Sequence, residues 1–379
     1  MKTIFEVAPI TQWPHHKRRP LVISGPCSAE TEEQVMLTAR ELAASGKVDI
    51  FRAGIWKPRT RPGTFEGMGS TALPWLKRVK EETGMGISTE VANARHVYEA
   101  LKYGVDYLWV GARSTANPFV VQEIADALQG SDATVLVKNP INPELELWVG
   151  AIERIQKAGI KRIGAIHRGF SSYEKTQFRN IPHWLIPVEL KQRVGNLPII
   201  CDPSHICGNR TLLLEVSQKA MDLNFDGLML ESHIDPSVAL SDAAQQVTPR
   251  ALICLLNRLV MRNPESTDSN FLNELEELRG KIDIYDEQLI DILEQRMKVA
   301  RTIAQCKKEN NITILQTKRW AEVVQKNLAL GVKKGLGSDF INNMLRLIHQ
   351  ESIHHQNKVM NEGEQVTHEL NNGVKTNVG

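Results

Sequence analysis

Cysteine is scarce and irregularly placed in this sequence of 379 residues. There are five cysteines, an odd number, and no Cys-x-x-Cys pair occurs among them. Such a set does not form a disulfide framework, and it is typical of free thiols in a reducing compartment. We therefore expect free cysteines and a cytoplasmic protein.

Long apolar runs and an excess of one charge are also missing. No run approaches the roughly 20 apolar residues that span a membrane. Glu6, Pro9 and Pro14 interrupt the N-terminus where a signal peptide would need an apolar segment. Lys and Arg number 46 against 44 Asp and Glu, so the global charge gives no reason to expect a nucleic-acid partner. We expect a soluble globular protein with neither a membrane nor a nucleic-acid partner.

Eight short β-rich runs alternate with helical stretches within residues 1–261. The runs are 21–25, 50–54, 85–91, 107–113, 134–139, 162–169, 198–204 and 226–233. Most are almost continuously apolar, which is typical of parallel strands buried on both faces. Eight βα units in about 240 residues predict a (β/α)8 barrel. The alternative is a doubly wound open sheet, which the absence of Gly-x-Gly-x-x-Gly after the first run disfavours.

The pattern changes after the predicted barrel. Residues 262–270 are polar and contain Pro264, so they predict a linker. Residues 271–360 predict an all-α domain, with one long helix over 271–309 followed by two shorter helices over 317–330 and 338–360. The polar tail 361–379 is predicted to be disordered.

The long helix carries an apolar seam with alternating spacings of four and three residues. The seam residues are Phe271, Leu275, Leu278, Ile282, Tyr285, Leu289 and Ile292. This spacing is that of a coiled-coil heptad. A helix of roughly 60 Å is too long to bury such a seam within a domain of about 90 residues. We therefore predict a homodimer through the helical domain, with a higher assembly left open.

Functional groups collect at the predicted carboxyl ends of the strands, where barrel active sites lie. Six cations form one set: Arg52, Lys57, Arg59, Arg113, Lys138 and Arg168. Converging Arg and Lys side chains suit phosphates and carboxylates. A second set combines a thiol, an imidazole and two carboxylates: Cys27, His205, Glu231 and Asp242. Because strands 1, 7 and 8 are adjacent in a closed barrel, this set predicts a divalent-metal site for Mn, Fe, Co or Zn.

These motifs resemble a known enzyme family. GPCS, KPRT, GAR, a strand-end Lys, RG, DPSH and LMLESH followed by ALSD occur in order over residues 15–261. Their order and spacing resemble the 3-deoxy-D-arabino-heptulosonate 7-phosphate (DAHP) synthases, and most closely the short type-Iβ branch. The sibling 3-deoxy-octulosonate 8-phosphate synthases have an Ala-Asn-Arg-type sequence where this chain reads Pro58-Arg59-Thr60. The resemblance therefore implies erythrose 4-phosphate, rather than arabinose 5-phosphate, as the partner of phosphoenolpyruvate (PEP).

The resemblance also implies roles for the strand-end residues. Cys27, His205, Glu231 and Asp242 would hold the metal. Arg113, Lys138 and Arg168 would bind the phosphate of PEP, Arg52 and Lys57 its carboxylate side, and Arg59 and Thr60 the phosphate of erythrose 4-phosphate. Glu90 and Asp202 would support the metal ligands or handle protons. His167 is a departure, because relatives often carry an acid before Arg-Gly.

The helical region resembles the all-helical AroQ-type chorismate mutases. The matching residues are Arg279, Arg296, Lys307, Arg319, Ser352 and Gln356. At about 100° per residue, Arg296 and Lys307 share a helix face to within about 20°, whereas Arg279 lies about a quarter turn away. The resemblance implies that Arg279 serves the site of the partner subunit. Trp320 is a departure, because relatives commonly place an acid after the arginine that corresponds to Arg319.

The two resemblances together imply a bifunctional enzyme of aromatic biosynthesis that also takes chorismate as a substrate. Rearrangement of chorismate needs no nucleophile, so positioned cations and ether donors, here Lys307 and Gln356, would suffice. The alternative is a synthase whose helical domain only binds a ligand and forms the dimer. About 20 residues precede the first strand, and we expect such a short segment to hold no N-terminal regulatory domain. We therefore hypothesise that the helical domain transmits feedback from prephenate or chorismate.

Overall fold

In the computed structural model, the described residues are 4–57, 63–173 and 176–361, without the side chain of Thr317. The chain divides into two compact units between Pro264 and Glu265. No helix in the described part of the chain is both long and apolar enough to cross a membrane.

Eight strands of the first unit close into a parallel barrel. The strands in chain order are β1 (Phe5–Glu6), β2 (Leu21–Gly25), β3 (Ile50–Arg52), β4 (Gly86–Val91), β5 (Tyr107–Val110), β6 (Thr134–Lys138), β7 (Ile163–His167), β8 (Val194–Gly195), β9 (Ile199–Cys201) and β10 (Gly227–Glu231). The order around the barrel is β10-β2-β3-β4-β5-β6-β7-β9, and β1 pairs with β8 outside it. The predicted (β/α)8 barrel is confirmed, and each of the eight predicted runs contains one barrel strand.

Helices alternate with the strands, and the longer ones cover the outside of the barrel. They are α1 (Glu32–Ala44), α2 (Leu73–Thr83), α3 (Ala94–Lys102), α4 (Ala112–Thr115), α5 (Pro118–Leu128), α6 (Leu145–Lys157), α7 (Leu185–Arg193), α8 (Pro203–Cys207), α9 (Leu213–Asp222) and α10 (Pro249–Arg258), with 3-10 turns at Ile10–Gln12, Gly69–Ala72 and Pro236–Val238. Alternate residues of each strand face inward and outward. Ile23 thus belongs to the cluster inside the barrel, and its neighbour Val22 belongs to the layer between strands and helices.

The N-terminal segment fills the end of the barrel where the strands begin. Trp13 is buried in the interior cluster with Leu21 and Tyr107, the first residues of their strands. A Cβ atom at Gly164 would lie 2.5 Å from the Trp13 ring, so only glycine at this position leaves room for the indole. Since this end is packed with side chains, the carboxyl ends of the strands are left to form the site.

The described part of the second unit contains three helices: α11 (Ser269–Glu309), α12 (Thr317–Lys333) and α13 (Ser338–Asn361). The predicted helices are confirmed, but α11 begins two residues earlier than expected, because the Asp268 carboxylate caps it by accepting from the amides of Asn270 and Phe271. Met297, Ala300 and Ala304 of α11 are buried. The predicted disordered tail lies, apart from Asn361, outside the described residues.

Candidate active sites

The structure brings the four predicted metal ligands together at the carboxyl ends of the barrel strands. One ligand atom each from Cys27, Glu231 and Asp242 lies within 4.8 Å of the others. Cys27 follows β2, and Glu231 is the last residue of the adjacent strand β10. His205, on α8 after β9, places Nε2 3.8 Å from Oε1 of Glu231. Closure of the barrel thus joins residues that are more than 200 positions apart.

The charge states of the cluster follow from burial and from neighbouring charges. Burial, reinforced by the charge of Glu231, raises the pKa of the Cys27 thiol to about 11. Burial also raises the pKa values of Glu231 and Asp242, but the charge of His205, aided by Arg52 at Glu231 and by Arg179 at Asp242, outweighs it and lowers both. At neutral pH the site therefore holds two carboxylates and a protonated thiol.

The residues present fit a divalent metal. Oε1 of Glu231 is buried and accepts no hydrogen bond from the described residues, although the Arg52 guanidinium lies 3.3 Å away, so this oxygen can still accept from a donor or bind a cation. A mixed set of thiol, imidazole and carboxylate groups suits borderline transition metals such as Mn, Fe, Co and Zn. Lys57 extends its Nζ to 3.1 Å from the Cys27 sulfur and so favours the thiolate that a metal requires.

Two buried cations lie over one indole ring beside this cluster. The Arg52 guanidinium is 4.9 Å from the centre of the Trp109 ring, and Lys138 Nζ is 5.7 Å from it. Nη2 of Arg52 lies 3.3 Å from Oε1 of Glu231. Lys138 pairs with Asp202 at 2.9 Å. Burial raises the pKa of Asp202, but the charges of His205 and Lys138 outweigh it and hold that pKa well below its usual range.

Three arginines add positive charge to the same mouth. Burial lowers the pKa of Arg168 to about 10. The charge of Asp202 raises this pKa, and the positive charges of Arg179 and Arg113 lower it further. Arg168 donates from Nη1 to Oδ1 of Asn180 at 2.7 Å. Like charges this close favour a bound anion. Arg179 was not predicted, because it lies in the irregular segment between β7 and α7 rather than at a strand end.

The remaining predicted barrel residues have different outcomes. Oε2 of Glu90 accepts a hydrogen bond from Nε1 of Trp109 at 3.0 Å, so Glu90 orients the indole that carries Arg52 and Lys138. Arg59 and Thr60 lie outside the described residues.

His167 faces away from the mouth and is buried between Trp148 and Trp184. Burial and the charge of Arg168 lower the pKa of His167 to about 3, so this departure adds no charge to the site.

A second site is a pocket of about 310 Å³ in the helical unit. Five of the six predicted residues line it: Arg296, Lys307, Arg319, Ser352 and Gln356. Arg296 donates to the Ser352 hydroxyl, and Lys307 Nζ lies 3.4 Å from Oε1 of Gln356. Arg279 does not line this pocket. It is exposed on α11 and lies 3.6 Å from Glu276.

An aromatic pair forms one wall of this pocket. Trp320 stacks on His349 with ring centres 4.0 Å apart and an interplanar angle of 12°. Burial lowers the pKa of His349, and the charges of Arg296 and Lys307 lower it further. Glu322 pairs with Arg319 at 3.2 Å. His349 was not predicted, because neither helical periodicity nor the resemblance distinguishes it.

The first unit has the architecture of a (β/α)8-barrel enzyme, with a metal-type cluster and convergent cations at the carboxyl ends of its strands. The chain belongs to the DAHP synthetase I family, whose family model matches residues 15–262. The model of chorismate mutase type II matches residues 278–357, so the chain combines these two domains.

Named relatives agree with this assignment. A phospho-2-dehydro-3-deoxyheptonate aldolase of Thermotoga maritima is 31% identical over 226 residues, which are 60% of this chain and 64% of that protein. The chain thus spans less than two thirds of the length of that relative. A 2-dehydro-3-deoxyphosphooctonate aldolase of Wolinella succinogenes is 26% identical and matches 63% of this chain and 98% of its own.

Solved structures match the same part of the chain. The crystal structure of the Thermotoga maritima DAHP synthase aligns with a TM-score of 0.57 at 30% identity and covers 62% of this chain and 67% of that one. A truncated form of the Thermotoga maritima enzyme aligns with a TM-score of 0.55 at 28% identity, over 62% and 84% of the two chains. The matches support the barrel.

Proposed function

We propose that the chain is a bifunctional enzyme, a metal-dependent DAHP synthase in the barrel and a chorismate mutase in the helical unit. The observation that carries the first activity is the meeting of Cys27, His205, Glu231 and Asp242 beside buried cations. The second rests on the pocket that gathers Arg296, Lys307, Arg319, Ser352 and Gln356.

The barrel site would condense PEP with erythrose 4-phosphate. C3 of PEP forms a bond to the aldehyde carbon, the aldehyde oxygen takes a proton, water adds to C2, and the C2–O bond to phosphate breaks. A divalent metal held by the four ligands would supply Lewis-acid polarisation of the aldehyde. Asp202 is ionised and lies within 2.9 Å of Lys138, so it is our candidate for proton transfer, with Glu90 in support.

The cations of the mouth would hold two anionic substrates together against their repulsion. Arg52 and Lys57 contact Glu231 and Cys27, so they would hold the carboxylate of PEP beside the metal ligands. Arg113, Lys138 and Arg168 would bind its phosphate, because their charges converge further round the mouth. Arg59 and Thr60 would bind the phosphate of erythrose 4-phosphate.

The helical pocket would hold chorismate in its reactive shape. Arg296 and Arg319 would bind carboxylates, and Arg279 would do so in the site of a second copy. Lys307 and Gln356 lie within 3.4 Å of each other and would donate to the ether oxygen as its bond breaks, where a donor is most effective.

We propose that the chain forms a homodimer through α11. The seam residues Phe271, Leu278, Ile282, Tyr285, Leu289 and Ile292 are between 48% and 67% exposed in the single chain. A continuous apolar stripe of this length is typical of a helix that packs on a partner. A second copy would cover it and bring Arg279 to the neighbouring pocket.

A direct test is to assay the full chain with each substrate pair. We expect phosphate release from PEP with erythrose 4-phosphate, at least tenfold slower release with arabinose 5-phosphate, and conversion of chorismate to prephenate. A preference for arabinose 5-phosphate would contradict the substrate assignment. Absence of chorismate turnover would favour the alternative, a helical unit that binds a feedback ligand without catalysis.

A further inference from the structure

Arg179 and Gln245 connect two carboxylates among the four candidate metal ligands, Cys27, His205, Glu231 and Asp242. Arg179 donates from Nη1 to Oδ1 of Asp242 at 3.0 Å and to Oε1 of Gln245 at 2.9 Å. Gln245 donates in turn from Nε2 to Oε2 of Glu231 at 2.7 Å. Gln245 is 1% exposed, so water does not compete for its contact with Glu231, whereas the Arg179 side chain is 50% exposed. One guanidinium and one amide therefore link Asp242 to Glu231.

The network occupies one oxygen of each carboxylate and leaves the other for the cluster. Oδ2 of Asp242 lies 3.5 Å from the Cys27 sulfur. Oε1 of Glu231 lies 3.3 Å from Nη2 of Arg52 and 3.8 Å from Nε2 of His205, and it accepts no hydrogen bond from the described residues. The contacts also fix which way the Gln245 amide points, because Arg179 has only donors to offer and a carboxylate only acceptors. Both carboxylates are thus turned to present a single ligand atom.

Arg179 is itself held against the helix that carries His205. Gly208, which ends α8, has φ +69°, and a Cβ atom there would lie 2.5 Å from Cβ of Arg179. A larger residue at this position would push the arginine stem away. The next residue, Asn180, donates from Nδ2 to the carbonyl of His205 at 2.7 Å. The segment that carries Arg179 therefore contacts three of the four candidate ligands directly or through one residue.

We infer that Arg179, acting with Gln245, is a positioning residue that raises the affinity of the site for a divalent metal. The inference rests on the proposed metal-dependent synthase. Two effects oppose each other, because a guanidinium near the site repels a metal cation while it fixes the ligands. Orientation should prevail, since outer partners of ligating groups typically raise metal affinity 10- to 100-fold.

The experiment is a titration of the metal-free full chain with Co²⁺, followed by the near-ultraviolet absorption of the Co²⁺–thiolate bond. The variants are Arg179→Gln, Gln245→Met and the two combined. Each single change should weaken Co²⁺ binding about 10- to 100-fold, and the double variant should weaken it by less than the product of the two. Arg40→Gln is the control, because Arg40 forms an exposed pair with Glu82 at 2.8 Å and should leave Kd unchanged.

Thermal unfolding without metal separates loss of folding from loss of positioning. Arg179→Lys keeps both the charge and the side-chain stem that packs against Gly208. Its affinity for Co²⁺ should therefore lie between those of the wild type and Arg179→Gln. Folded variants that bind Co²⁺ as tightly as the wild type, or more tightly, would overturn the inference while leaving the metal site intact. A wild-type protein with no thiolate band would overturn the metal site itself, and the inference with it.

Discussion

Cys27 differs from the other candidate metal ligands in its charge state. Its thiol has a pKa raised to about 11, whereas the neighbouring carboxylates are ionised. A metal must therefore displace a proton from Cys27 when it binds. The sulfur is the softest donor in the set and should select transition metals over Mg²⁺.

Replacing Cys27 should separate the two activities. We expect Cys27→Ala to lower DAHP synthase activity at least 100-fold, because one ligand and its charge are lost, and to leave chorismate mutase activity unchanged. Cys254→Ala is the matched control, since Cys254 is exposed on α10. Initial rates of both reactions measure the effect, and loss of both activities in a folded variant would argue against separate sites.

Lys307 offers the reciprocal experiment. Lys307→Ala should reduce the kcat of chorismate rearrangement about 10²- to 10³-fold, the usual cost of losing one donor to a developing negative charge. DAHP synthesis should not change. Lys298→Ala is the control, because Lys298 pairs with Glu294 on an exposed face of the same helix. An equal loss in both lysine variants would contradict the role of Lys307.

Side chains at strand ends could be predicted from the sequence, as could Asp242 in a recognised motif, but Arg179 and Gln245 could not. Cys27 and Glu231 follow recognisable apolar runs, and barrel closure then makes them neighbours. Arg179 and Gln245 lie in irregular segments whose path no periodicity describes. Trp320 was noted as a departure, but its stacking on His349 depends on how α12 packs against α13.

Among the elements, β7 ends in a histidine with an unusual environment. His167 is buried against Trp148 and Trp184 and its pKa is about 3. In an unfolded chain the pKa would be near 6.5. The unfolded state therefore binds more protons between these values, and stability falls as pH decreases through that window.

We predict that His167→Phe reduces this pH dependence. Between pH 7 and pH 5 the histidine should cost the wild type about 2 kcal/mol of unfolding free energy, and the variant should not incur this loss. Urea unfolding followed by tryptophan fluorescence at both pH values measures the difference. The other titratable groups are common to both proteins, so identical pH dependence would show that His167 is not buried as a neutral base.

Helix α11 tests the proposed dimer. Ile282→Glu with Leu289→Glu puts two charges on the exposed seam, and we expect a monomer with little mutase activity and full synthase activity. Glu287→Lys, two residues from the seam on the outward face of the heptad, should stay dimeric. Sedimentation equilibrium measures the mass, and a double variant that remains dimeric would place the interface elsewhere.

Element boundaries were predicted less well than element identity. The eight runs and the three helices follow from periodicity, because burial on one or both faces determines which residues are apolar. Helix α11 starts at Ser269 because the Asp268 side chain caps it. A cap contact that spans three residues leaves no periodic pattern from which the start could be predicted. The short pair of β1 with β8 was missed, since two-residue strands carry no periodic signal.

At the scale of the whole molecule, near-neutral charge conceals two cationic sites. The mouth of the barrel gathers arginines and lysines from β3, β6 and the segments after β5 and β7, and the helical pocket gathers Arg296, Lys307 and Arg319. Counting charges cannot reveal such sites, because an average over 379 residues hides local convergence. The order of the motifs along the chain does reveal them, since each site draws on residues far apart in sequence.

The most direct measurement of the central claim is phosphate release by the purified full chain. The account predicts release only when PEP and erythrose 4-phosphate are both present, its loss after treatment with a chelator, and its recovery on addition of Mn²⁺ or Co²⁺. Release that continues unchanged in a metal-free protein, or that requires PEP alone, would contradict it.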